Sequence, residues 1–134
     1  MGAYATVSDV QLRVGALYTL SESSTPSTDD VLTLIADAEA ELNAALMSAG
    51  HATIPATGDH TVAFLRGKVA VFVAAQVIQI TFGPDAMPAL YRVALEEWAE
   101  FVARVGKGEV GLPGADSGPT NNTLYRVRLW NRPD

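Results

Sequence analysis

His51 and His60 are the only histidines in the chain, and with Asp59 they are the residues whose chemistry would first suggest a metal or an acid–base pair. Their spacing argues against it. They stand nine residues apart, no cysteine exists to supply a thiolate, and no Glu-x-x-His pattern accompanies them, so they match no compact zinc spacing. They read as solvated residues in or beside a loop, with Asp59 capping the helix that follows. Glu39, Glu41, Glu96, Glu97 and Glu100 offer carboxylate pairs for general acid–base work or for a di-metal site in a helical bundle. Such a site needs inward carboxylates and a histidine three residues after a glutamate, and no glutamate here has one. These five therefore read as surface charge. The serines gather between Ser21 and Ser27 without a Gly-x-Ser-x-Gly elbow. Gly106, Gly108, Gly111 and Gly114 do not lie between a strand and a helix, so they form no phosphate cradle. The expectation is a protein with no cofactor, no metal and no catalytic constellation, not an enzyme.

The chemistry that stands out is that of contact. Leu124, Tyr125, Arg126, Val127, Arg128, Leu129 and Trp130 alternate so that Tyr125, Val127 and Leu129 share one face of a strand. Leu124, Arg126, Arg128 and Trp130 share the other. Tryptophan and arginine dominate interface hot spots, and Arg132 adds a third cation nearby. A lone strand must satisfy its backbone groups somewhere, either by adding to a partner's sheet or by folding back on its own body. Three arginines are a weak footprint for nucleic acid. Trp98 and Phe101, by contrast, sit at helical spacing and read as core.

The elements that carry these residues are helices. A short first helix is expected from Ser8, where Ser8 and Gln11 have capping-box spacing, with Val10, Val14 and Leu17 on its apolar side. The serine- and threonine-rich stretch from Thr19 to Thr28, containing Pro26, is a loop. A second helix runs from about Thr28 to Ala49 and stops at Gly50, with Asp29 and Asp30 in its first turn. Val31, Leu34, Ile35, Ala38, Leu42, Ala45, Leu46 and Ala49 form its buried stripe, leaving Asp37, Glu39, Glu41 and Asn43 largely outside it. A third helix, about Asp59 to Phe82, is apolar nearly all round and ends at Gly83 and Pro84, which places it at the centre of the body. Its uncharged stretch, Val69 to Phe82, is shorter than the roughly 20 residues a bilayer requires. The fourth helix spans about Met87 to Val105, with Pro88 in its first turn and Leu90, Val93, Ala94, Trp98, Phe101, Val102 and Val105 facing inward.

After Val105 the composition changes, with five glycines and two prolines between Gly106 and Asn122. The chain therefore divides into a helical body, residues 1–105, and a linker with a docking arm, residues 106–134. The fold class expected is all-α: a small four-helix bundle with an extended C-terminal arm able to form a β-strand on a partner.

A chain of 134 residues suits one domain, and the absence of cysteine removes disulfides from consideration. Nine basic and fifteen acidic side chains give a net charge of −6, which disfavours wrapping nucleic acid. The first 105 residues carry five basic and twelve acidic groups, the remainder four and three. The first ten residues show neither a basic start nor an apolar run of the signal-peptide kind.

This order of elements resembles the head-to-tail connector, or head-completion adaptor, family of long-tailed phages and gene transfer agents. The likeness rests on the short helix from Ser8, on Thr28, Asp29, Asp30 and Val31 with Leu34, Ile35, Ala38 and Leu42, and on the long apolar helix containing Leu65, Val69 and Val73. It covers roughly residues 5–105. The resemblance implies a ring of neighbouring copies, commonly twelve, beneath a portal protein, joined below by the next connector or stopper protein. DNA would pass through the lumen without sequence recognition, and no membrane would be involved. The location implied is the head–tail interface of a virion assembled in the host cytoplasm. The alternative reading is a small helical regulatory module whose tail folds on one protein partner.

Overall fold

The first helix starts where two reciprocal hydrogen bonds can close. Thr6 Oγ1 accepts from the Asp9 amide at 3.2 Å while Asp9 Oδ2 accepts from the Thr6 amide at 2.8 Å, a complete capping box. The computed structural model describes residues 4–51 and 58–110, and within them four α-helices form a bundle with no strand. They are α1 (Val7–Val14), α2 (Thr28–Ser48), α3 (Asp59–Phe82) and α4 (Ala89–Gly106), with short 3-10 turns at Gly15–Leu17 and Pro84–Ala86.

Ser8 is thus not the cap of α1, and Gln11 has other work. Its side-chain amide donates to the carbonyls of Gly15 and Tyr18, at 3.2 and 2.9 Å, and its oxygen accepts from the Leu20 amide at 2.7 Å. One glutamine thereby ties the following loop to the helix. Gly15, at φ 67°, ends α1, so Leu17 falls outside the helix and is exposed rather than buried. The loop is closed by Tyr18, whose hydroxyl donates to the Thr25 carbonyl and accepts from the Thr25 amide, beside a cis Thr25–Pro26 bond.

α2 opens with a second capping box, Ser27 with Asp30, and its expected stripe is buried at Val31, Ile35, Ala38, Leu42, Ala45 and Leu46, with Leu34 half-buried. α3 is the central element: it packs on α1, α2 and α4, and Leu65, Val69, Val73, Ala74, Val77 and Ile78 have no exposed surface. By length and composition α3 could cross a membrane; here it packs against the other three helices along its buried residues, while Phe64, Ile80 and Phe82 are 40%, 53% and 43% exposed. Each fully buried valine, leucine or isoleucine contributes about 1.5–3 kcal/mol relative to exposure. The N-cap of α3 is Gly58, with Asp59 as its first helical residue, and Pro88 is the N-cap of α4 rather than a member of its first turn.

Glu39 is the largest departure from the expected pattern. It is 5% exposed, and its Oε2 accepts from the backbone amides of Tyr4 and Ala5, at 2.7 and 2.9 Å. Arg66 of α3 donates to the Tyr4 carbonyl at 3.0 Å, and the Tyr4 hydroxyl donates to Asn43 at 2.7 Å. The segment entering α1 is therefore pinned between α2 and α3. Buried backbone amides outside a helix need such acceptors, which explains a carboxylate inside an apolar face.

Candidate functional site

The seam between α3 and α4 is built from two different stripes of α4. Tyr91, Trp98 and Val105, seven residues apart, turn into the body and are buried. Leu90, Ala94, Glu97, Phe101 and Arg104 lie on the neighbouring stripe and line grooves against Lys68, Val71 and Phe72 of α3. Leu90 and Val93, expected to face inward, are 74% and 45% exposed. The core of α4 is satisfied by the heptad-spaced residues, which leaves these two on the outside.

Aromatic rings form the floor of the groove. Phe72 and Trp98 stack with centroids 4.5 Å apart and planes 5° from parallel. Phe101 is tilted against Trp98 at 6.0 Å and meets Phe64 edge-on at 5.9 Å. The Trp98 indole N–H donates to Glu41 Oε1 at 2.8 Å, so its polar edge is satisfied on the α2 side. Lys68 Nζ lies 5.6 Å from the Phe64 centroid and 5.1 Å from that of Phe101, within cation–π range of both. At the other end of the groove Arg13 of α1 borders Leu90 and Tyr91, and the Tyr91 hydroxyl donates to the Arg13 carbonyl at 2.9 Å.

Comparison with family models, curated proteins and solved structures found no match. The groove must be read from its own residues.

Its chemistry is that of a contact surface. Apolar and aromatic groups line it, Lys68 and Arg104 stand with Glu97 and Glu100 along one end, and Glu97 and Glu100 make no hydrogen bond or ion pair among the described residues. Among the described residues no three His, Cys, Asp or Glu side chains gather where they could hold a metal. His60 is exposed in the first turn of α3, and His51 is half-buried after α2. Glu41 holds the Trp98 indole, and Glu39 holds the N-terminal segment, so neither is merely surface charge. Trp98 is buried as expected, whereas Phe101 is only half-buried and belongs to the groove as well as the core. The expected docking arm, Leu124 to Trp130, lies outside the described residues. By sequence Val71 counts only among the apolar residues of the third helix, and Phe64 and Lys68 have no contact role; the i, i+4, i+7 spacing of the three on α3 is the signal that places them on one stripe.

Proposed function

We propose that this chain is a non-catalytic assembly subunit, a head-to-tail connector of the head-completion adaptor kind, which joins copies of itself into a ring between a portal and the tail-side connector. The observation that carries the reading is the α3–α4 face. A packed helical body that still presents Leu90, Val93 and Phe64 beside half-buried Val71 and Phe101 offers the aromatic and aliphatic groups that anchor protein interfaces. The helix order, a short capped helix followed by a long amphipathic one and a central apolar one, agrees with the order on which the family likeness rests. In this reading the arm from Leu124 to Trp130 reaches the portal or the next subunit, and the acidic body permits DNA to slide through the lumen instead of gripping it.

The test mixes the purified full chain with portal rings from the same genome and images the particles by electron microscopy. A second ring stacked on the portal is expected, and it should be lost from a chain ending at residue 119. Particles without added density across a range of salt concentrations would refute the adaptor role.

A further inference from the structure

We infer that in the free subunit the segment Leu124–Trp130 docks along the α3–α4 groove of its own chain. The inference concerns the unassembled protein and holds whether or not the chain joins a portal.

Three features point to this occupant. The first is length. The groove follows α4 from Leu90 to Arg104, about 21 Å at 1.5 Å per helical residue. A seven-residue extended segment covers about 20 Å between its first and last residues.

The second is chemistry. Glu97 and Glu100 are surface neighbours one turn apart, with Cβ atoms about 5–6 Å from each other. Arg126 and Arg128, on one face of an extended segment, are separated by about 6.6 Å. Laid on edge in the groove, the segment turns its two arginines toward these carboxylates of α4, which make no ion pair among the described residues. Its opposite face, Tyr125, Val127 and Leu129, turns toward Phe64 and Val71 of α3. Trp130 then falls beside Leu90 and Val93.

The third is position. The described chain leaves α4 at Gly106 and is still packed on the core at Val110, at the Arg104 end of the groove. Thirteen residues, 111–123, separate that point from Leu124, and a glycine-containing stretch of this length spans about 20 Å on average. The segment enters the groove at the Arg104 end and runs antiparallel to α4. A tether this short holds it at an effective concentration on the order of millimolar, which favours the chain's own groove over a second copy in dilute solution.

The experiment exploits the absence of cysteine. A nitroxide attached to Asn131→Cys in the full chain should erase most of the NMR amide intensity of Leu90, Val93 and Ala94 while sparing Met47 and Ser48 at the far end of α2. The loss should not change on dilution. Adding Glu97→Lys and Glu100→Lys, both exposed helix positions, should restore the signals without altering the helical circular dichroism. A mixed sample, with the spin label on one chain and the isotope on another, should show no loss. Undiminished intensities in the labelled chain would overturn the inference. So would a loss confined to the mixed sample, which assigns the groove to a neighbour's arm, or one that survives both charge reversals.

Discussion

Replacing Glu39 by alanine removes the acceptor that fixes the entry of the chain into the body. The carboxylate is 5% exposed, and among the donors it serves are the amides of Tyr4 and Ala5, residues 3% and 0% exposed, so water does not readily take its place. A hydrogen bond to a charged acceptor contributes about 1.5–3 kcal/mol, and a buried amide left without one costs about 1–3 kcal/mol. Both donors share Oε2, and bonds to a common atom do not add fully, so the expected loss for Glu39→Ala is about 2–4 kcal/mol. Glu39→Gln keeps a carbonyl oxygen able to take the place of Oε2 and removes the charge. Neutral bonds are roughly half as strong, which gives a loss of about 1–2 kcal/mol. Urea unfolding followed by circular dichroism reads both values, the midpoint moving while the slope stays constant. In a chain of this length each kcal/mol lowers Tm by about 3–5 °C. Glu39→Ala within about 0.5 kcal/mol of the parent would refute the reasoning, because a surface position behaves that way. Equal losses for the two variants would also refute it, since the shared oxygen would then not be the stabilising group.

Other outcomes follow from the same geometry. Leu65→Ala on α3 opens a cavity at a site with no exposed surface and should cost about 2–5 kcal/mol in the same titration; a smaller loss would mean the neighbouring helices collapse onto the gap. Trp98→Phe keeps a ring for Phe72 but deletes the donor to Glu41, with an expected loss of about 1–2 kcal/mol that Glu41→Gln should share only in part; an unchanged midpoint would count against that hydrogen bond. Ser27→Ala breaks the α2 capping box and should cost about 1 kcal/mol, with faster amide exchange at Asp30 as the local reading.

The helices themselves were legible because their signals are local. α2 and α3 carry polar or acidic starts, long apolar spacing and glycine ends, and those cues fixed both helices to within a residue or two. The start of α1 was misread because two capping boxes overlap, Thr6 with Asp9 and Ser8 with Gln11, and both satisfy the spacing. What decides between them is a loop that needs Gln11 for its own backbone groups, a contact made only after folding. Glu39 lies four residues after Ile35 and three before Leu42, inside the stripe that was read from its apolar members alone. Its position was visible, but its partners are backbone amides more than thirty residues away, and no periodicity announces those. On α4, mixed apolar residues fill two adjacent stripes, and only the packing against α3 shows that Tyr91, Trp98 and Val105 are the inner one. The partly exposed stripe of Leu90, Ala94 and Phe101 was hidden for the same reason.

The central place of α3 also sets a timetable for synthesis. α1 rests mainly on α3 and makes few contacts with α2, while α2 leans on α3 and α4. A nascent chain that has emerged only as far as residue 58 therefore owns two amphipathic helices with little surface to share, and nothing closes until the ribosome has released Asp59–Phe82. From that moment α3 covers α1, but α2 rests on α4 at least as much as on α3, so its stripe closes only when α4 arrives. A pause in translation before α3 would lengthen the interval in which those faces are bare; a pause after it would find α1 covered and α2 covered only in part.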